Sequence, residues 1–99
     1  MSTSSVTRAV VIVNSHGLHA RPAERLAREA MQYKSRIEFL CRNERIDARS
    51  ILHLLTMGAT QGTELIIEAD GEDAQLAVDA LAELIASGFV EEQQPDEGT

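Results

Sequence analysis

The sequence predicts an α+β protein: an open-faced β-sandwich in which a four-stranded antiparallel sheet carries three helices on one face, in the order βαββαβα. Three observations carry that expectation. Apolar residues recur at helical spacing in three segments, four short segments are β-branched or alternate apolar with polar, and 99 residues leave room for a single modest core. Helices stacked on one side of the sheet cover that core, and the other sheet face meets water.

Residues 6 to 13, Val-Thr-Arg-Ala-Val-Val-Ile-Val, read as the first strand, and their nearly unbroken apolarity predicts a central position in the sheet. Gly17 is the pivot into a helix. Ala20, Ala23, Leu26, Ala27, Ala30 and Met31 keep helical spacing to about Tyr33, and Pro22 suits the first turn, where its missing N–H costs little. His19 therefore stands at the N-terminal boundary of this helix.

Residues 36 to 41 and 44 to 48 read as a hairpin around Arg42-Asn43-Glu44. Ser50 is placed as N-cap of a two-turn helix that Gly58 ends. Ile51, Leu52, Leu54, Leu55 and Met57 crowd seven positions of that helix, more than one buried face holds, so some apolar surface should face outward for a partner. Gln61-Gly62-Thr63 turns the chain into a strand over 64 to 70, with Leu65, Ile67 and Ala69 on its covered face. Gly71-Glu72-Asp73 opens the last helix with acids that complement its dipole. Ala74, Ala77, Val78, Leu81, Leu84 and Ile85 form its apolar stripe, and Gly88 is its stop. Residues 1 to 90 read as one domain and 91 to 99 as an acidic flexible tail.

Charge narrows the function classes. The net charge of −7 divides unevenly, because all nine Lys and Arg lie between Arg8 and Arg49 while residues 50 to 99 carry acids alone. Such a chain lacks the dedicated basic surface that nucleic acid requires. Arg21, Arg25, Arg28 and Arg49 are expected to feed an electropositive patch near His19 that meets a phosphate or an acidic protein face. No apolar run is long enough for membrane insertion and the first residues do not resemble a signal peptide; with Cys41 alone, no internal disulfide can form. The expected compartment is the cytoplasm, and Cys41 reads as a small buried hydrophobe.

The chemistry centres on His19. A helix start offers backbone N–H groups without internal partners and the positive end of the dipole, so an anion docks there readily. A neutral imidazole attacks phosphorus competently, and the phosphohistidine it forms can pass its phosphoryl group on. The N–H groups of Ala20 and Arg21 and the Arg21 guanidinium are the expected phosphate donors. His16, three residues earlier, either adds a donor to that site or serves only the turn. No metal and no cofactor is expected, since His16 and His19 share their segment with no further ligand.

Gly17-Leu18-His19-Ala20-Arg21-Pro22-Ala23 is closely similar to the active-site signature of the HPr family, the histidine-containing phosphocarriers of the phosphoenolpyruvate-dependent phosphotransferase system. The segment from Ser50 to Gly62 resembles the family's second signature, and Gly71-Glu72-Asp73 continues the likeness over about residues 6 to 88. The resemblance implies a carrier rather than an enzyme with its own turnover. It would take a phosphoryl group on Nδ1 of His19 from phosphorylated enzyme I and hand it to the A component of a sugar-specific enzyme II, with Arg21 as the phosphate-binding arginine. It further implies docking of both partners on Ala20, Arg21, Ile51, Leu52, His53, Leu55 and Gly58. Ser50 matches the family's regulatory serine, the target of an HPr serine kinase/phosphatase in many bacteria, beside its structural reading as N-cap. Two departures stand out: His16 replaces a small polar residue, and His53 replaces a lysine common in some members. The alternatives are a phosphocarrier of the nitrogen-related regulatory branch, which Ser87-Gly88-Phe89 before the acids resembles, and an adaptor regulated through Ser50 alone. A monomer is expected.

Overall fold

The computed structural model describes residues 5–89. Its elements are β1 (Ser5–Val11), α1 (Ala20–Ala30), β2 (Arg36–Cys41), β3 (Glu44–Asp47), α2 (Ile51–Thr56), β4 (Glu64–Asp70) and α3 (Ala74–Ala86), the predicted order βαββαβα. The tail read over 91 to 99 lies outside the described residues. All pairings are antiparallel, in the strand order β1-β4-β2-β3.

Alternation decides which face is covered. In β4, Leu65, Ile67 and Ala69 are buried; the register sets Ile67 opposite Phe39 of β2 and Arg8 of β1, so the inner face runs across the central strands. On the other face Ala9, Ile66 and Leu40 lie side by side across three strands, with Ile66 exposed. The hairpin turn is Arg42-Asn43, both at positive φ (51° and 70°), the two-residue geometry whose twist matches the flanking strands.

The expectation that the first strand is central is overturned: β1 is an edge strand, paired only with β4, and it ends at Val11 rather than Val13. Apolarity on every position suggested two covered faces, but only Val6 and Val10 pack inward, while Ala9 and Val11 are exposed on the open face. Arg8 shows where the covered side ends, since it reaches past the inner face to pair with Asp79 of α3 at 3.3 Å.

Helix α3 lies over β1 and β4, and α1 packs between α2 and α3. Pro22, Ala23, Leu26, Ala27 and Ala30 bury one side of α1; from α2, Leu54 alone is fully buried. Cys41 is buried and free, as expected of a small hydrophobe.

The acids at the start of α3 do something other than complement its dipole. Asp73 occupies the N-cap position but makes no cap bond, and no acid falls in the first helical turn. Its carboxylate instead accepts hydrogen bonds from the Lys34 N–H (2.8 Å), the Ser35 N–H (2.9 Å) and the Ser35 hydroxyl (2.6 Å). Those donors, the Ser35 hydroxyl foremost, hold its pKa below the usual carboxylate range. Arg49 grips the same segment from the other side by donating to the carbonyls of Tyr33 and Ser35. The entry into β2 is thus clamped between α3 and the β3–α2 junction.

Candidate functional site

The loop between β1 and α1 is folded by its own backbone. Asn14 is buried and donates through Nδ2 to the Gly17 carbonyl (2.8 Å), while the Gly17 N–H returns to the Asn14 carbonyl (3.1 Å). The Leu18 N–H donates to the Ala59 carbonyl (2.9 Å), fixing the loop to the chain beyond α2. Gly17 sits at φ +67°, where a Cβ would come within 2.5 Å of the Ala59 carbonyl oxygen. Sequence reasoning read Gly17 as the pivot but missed Asn14, whose signal was an asparagine opening a turn.

His19 emerges from this loop as the N-cap of α1, in extended backbone (φ −100°, ψ −165°), with its side chain making no cap bond. Its carbonyl accepts from the Ala23 N–H at 2.9 Å, closing the first helical turn. Pro22 has no N–H, so the open donors of this helix start are those of Ala20 and Arg21. The imidazole is exposed, and it stands 5.9 Å from the ring of His16, centroid to centroid, at 76° between the ring planes.

His16, His19 and Arg21 line one open groove of about 730 Å³. Its walls are Val13 to Ser15, Pro22, Gln61 and the end of α3 from Ser87 to Phe89. Gln61 is tied in by donating to the Val13 carbonyl at 3.0 Å, and Phe89 is buried at φ 57°. No sequence signal placed the α3 end here, because the contact spans the length of the chain.

The predicted electropositive patch is smaller than expected. Arg28 pairs with Glu24 (2.6 Å) and Arg25 with Glu29 (3.6 Å), each one turn along α1, while Arg49 serves the β2 entry. Only Arg21 lines the groove, and it forms no ion pair among the described residues.

Ser50 caps α2 as expected, its hydroxyl accepting from the His53 N–H at 3.1 Å. The His53 ring is committed as well: Nδ1 accepts from the Asp47 N–H at 3.1 Å, which leaves its proton on Nε2. Leu52 is 77% and Ile51 40% exposed, the outward apolar surface the sequence implied. Leu55 is half-buried against the core, and Gly58 is exposed beyond the helix.

These features define a class of protein: a small open-faced α+β sandwich presenting one exposed histidine at a helix start that no side chain caps. The family model described as "PTS HPr component phosphorylation site" matches residues 6–87, and the chain belongs to this HPr family, the phosphocarriers of the phosphotransferase system. It is 43% identical over 79 residues to a phosphocarrier protein HPr of Haemophilus influenzae, covering 80% of this chain and 93% of that one. A multiphosphoryl transfer protein of the same organism is 41% identical over 98 residues, yet this chain spans only 20% of its length. Among solved structures, HPr-C-His from Thermoanaerobacter tengcongensis superposes with a TM-score of 0.82 at 34% identity, over 85% of this chain and 94% of that one.

Proposed function

We propose that the chain accepts a phosphoryl group on His19 from phosphorylated enzyme I and passes it to the A component of a sugar-specific enzyme II, as a carrier without turnover of its own. The observation that carries this reading is the groove in which the exposed His19 imidazole lies beside Arg21 at the open start of α1. Nδ1 gives its lone pair to phosphorus as the donor's bond to phosphorus breaks, and the ring proton stays on Nε2. The Ala20 and Arg21 N–H groups and the Arg21 guanidinium receive the phosphoryl oxygens, with His16 facing them across the groove. Phosphoryl transfer depends chiefly on such positioning and charge stabilisation, which so few residues can supply.

In this reading both partners dock on Ala20, Arg21, Ile51, Leu52, His53, Leu55 and Gly58, with the exposed aliphatic side chains at the centre. Phosphorylation of Ser50 by a serine kinase would add negative charge to that face and slow the exchange. The working unit is a monomer, residues 1–90, in the cytoplasm. A second reading, signalling in the nitrogen-related branch through the same histidine, rests on the resemblance of Ser87-Gly88-Phe89 to that branch; these residues stand on the groove wall.

Incubation with enzyme I and labelled phosphoenolpyruvate tests the proposal. The wild type takes up acid-labile label, His19→Ala takes up none, and Arg21→Ala takes it up about 100-fold more slowly, the loss typical of one transition-state donor. Label that survives His19→Ala overturns the assignment.

A further inference from the structure

We infer that Asn14 is a positioning residue for phosphoryl transfer, kept for the His19 site at a cost in stability. This rests on the carrier reading above. Asn14 is only 8% exposed, and it lines the groove together with His19 and Arg21. Its two amide atoms fare unequally. Nδ2 donates to the Gly17 carbonyl at 2.8 Å, whereas Oδ1 is buried and has no hydrogen-bond partner among the described residues. The Gly17 carbonyl can only accept, so the amide cannot turn round to relieve Oδ1.

Stability alone does not account for an amide at this place. A buried acceptor left without a donor costs at least as much as one neutral hydrogen bond contributes net. The Gly17 carbonyl does not depend on Asn14 for a donor, because the His19 N–H reaches it at 3.2 Å. Nor does the loop need this side chain to keep its course. The Gly17 N–H returns to the Asn14 carbonyl, the Leu18 N–H donates to the Ala59 carbonyl, the Gly62 N–H donates to the Ile12 carbonyl (2.7 Å), and the Gln61 side chain holds the Val13 carbonyl. An apolar side chain of the same size would therefore fold as well or better. Polar groups that run against folding in this way mark functional sites.

What Asn14 adds lies at the helix start. The bond from the His19 N–H to the Gly17 carbonyl closes a three-residue turn over Leu18, and this turn sets the direction in which His19 enters α1. The Asn14 amide grips the same oxygen and so fixes the peptide plane that aims the imidazole. It also places a donor on a lone pair of that oxygen, which lessens its repulsion of phosphoryl oxygens arriving at the Ala20 and Arg21 N–H groups. The bond to phosphorus still forms at His19 and breaks at the donor. Asn14 makes no covalent bond and moves no proton.

The test measures label uptake from phosphoenolpyruvate and enzyme I by wild type, Asn14→Leu and Asn14→Ala over a range of carrier concentrations, with urea midpoints on the same preparations. Asn14→Leu keeps the volume and should unfold at a urea concentration no lower than the wild type; Asn14→Ala leaves a gap and should unfold at a lower one. Both should lose maximal transfer rate alike, about tenfold or more, the effect of a misaimed acceptor. The half-saturating concentration should stay unchanged, because the exposed aliphatic surface of α2 is untouched. A lower midpoint in Asn14→Leu, a wild-type rate in either variant, rates that follow the midpoints, or a loss confined to half-saturation overturns the inference and leaves Asn14 a brace of the loop. Wild type that takes up no label, or label that persists in His19→Ala, instead overturns the carrier reading on which it rests.

Discussion

Helices α1 and α2 begin in opposite ways. At α2 the Ser50 hydroxyl closes the helix start by accepting from the His53 N–H, and the His53 ring ties it to Asp47. At α1 the N-cap residue has the extended backbone that capping requires, but its imidazole makes no cap bond, and the first donors stay open. The short helix is finished by its own side chains; the long one can leave its start incomplete because Leu26, Ala27 and Ala30 bury it against α2 and α3. Packing, in other words, frees one helix end for chemistry.

The largest expected effect comes from closing the loop that holds α1's start open. Gly17→Ala places a Cβ 2.5 Å from the Ala59 carbonyl oxygen and 2.9 Å from the Thr60 Cα, at a φ of +67°. Both neighbours are backbone, so they cannot turn aside. Strain and overpacking together should cost about 2 to 4 kcal/mol, read as a lower urea midpoint at constant slope, and label uptake on His19 should fall with it. A variant as stable as wild type would show that the loop is not held by Ala59.

Exchanging the two starts comes next. His19→Asp supplies the missing cap acceptor at α1 and should raise stability by roughly 0.5 to 1 kcal/mol while abolishing label uptake. Ser50→Ala removes the existing cap and should cost about 1 kcal/mol. Ser50→Asp keeps an acceptor at the same place, so it should fold as the wild type does, yet accept phosphate more slowly by putting charge on the docking face. Unfolding curves and uptake rates on the same preparations separate the effects. If His19→Asp is less stable than wild type, the α1 start is not incomplete in the sense argued.

What sequence could reveal follows the range of each interaction. The helix from Ala20, the cap at Ser50 and the Leu65, Ile67, Ala69 face of β4 are set by neighbours within one turn or one strand, and they were legible. Strand position was not: Ala9 and Val11 look buried in the sequence and are exposed because, among the described residues, nothing covers the open face. The arginines divide in the same way. Arg25 and Arg28 are taken by glutamates one turn away, a pairing that spacing alone shows, while Arg49 reaches carbonyls that only the folded chain brings near. His19 and Arg21 were legible as a pair because they share one helical turn; the α3 end that walls their groove is some seventy residues away.

The third helix start sharpens the comparison with the smallest effect. Asp73 stands at the N-cap of α3 but, like His19, caps nothing; its carboxylate is spent on Lys34 and Ser35. Because those bonds favour the ionised form, its pKa is lowered on folding. The sign then follows from linkage: the contribution is fully present above the carboxylate's unfolded pKa and is lost as pH falls through the lower, folded value. Solvent screens this site, so the change is modest. Urea midpoints of wild type and Asp73→Asn measured from pH 6 down to pH 2 should differ most at the upper end and converge in acid. A constant difference across that range would mean that Asp73 holds the β2 entry by shape alone and not through its charge.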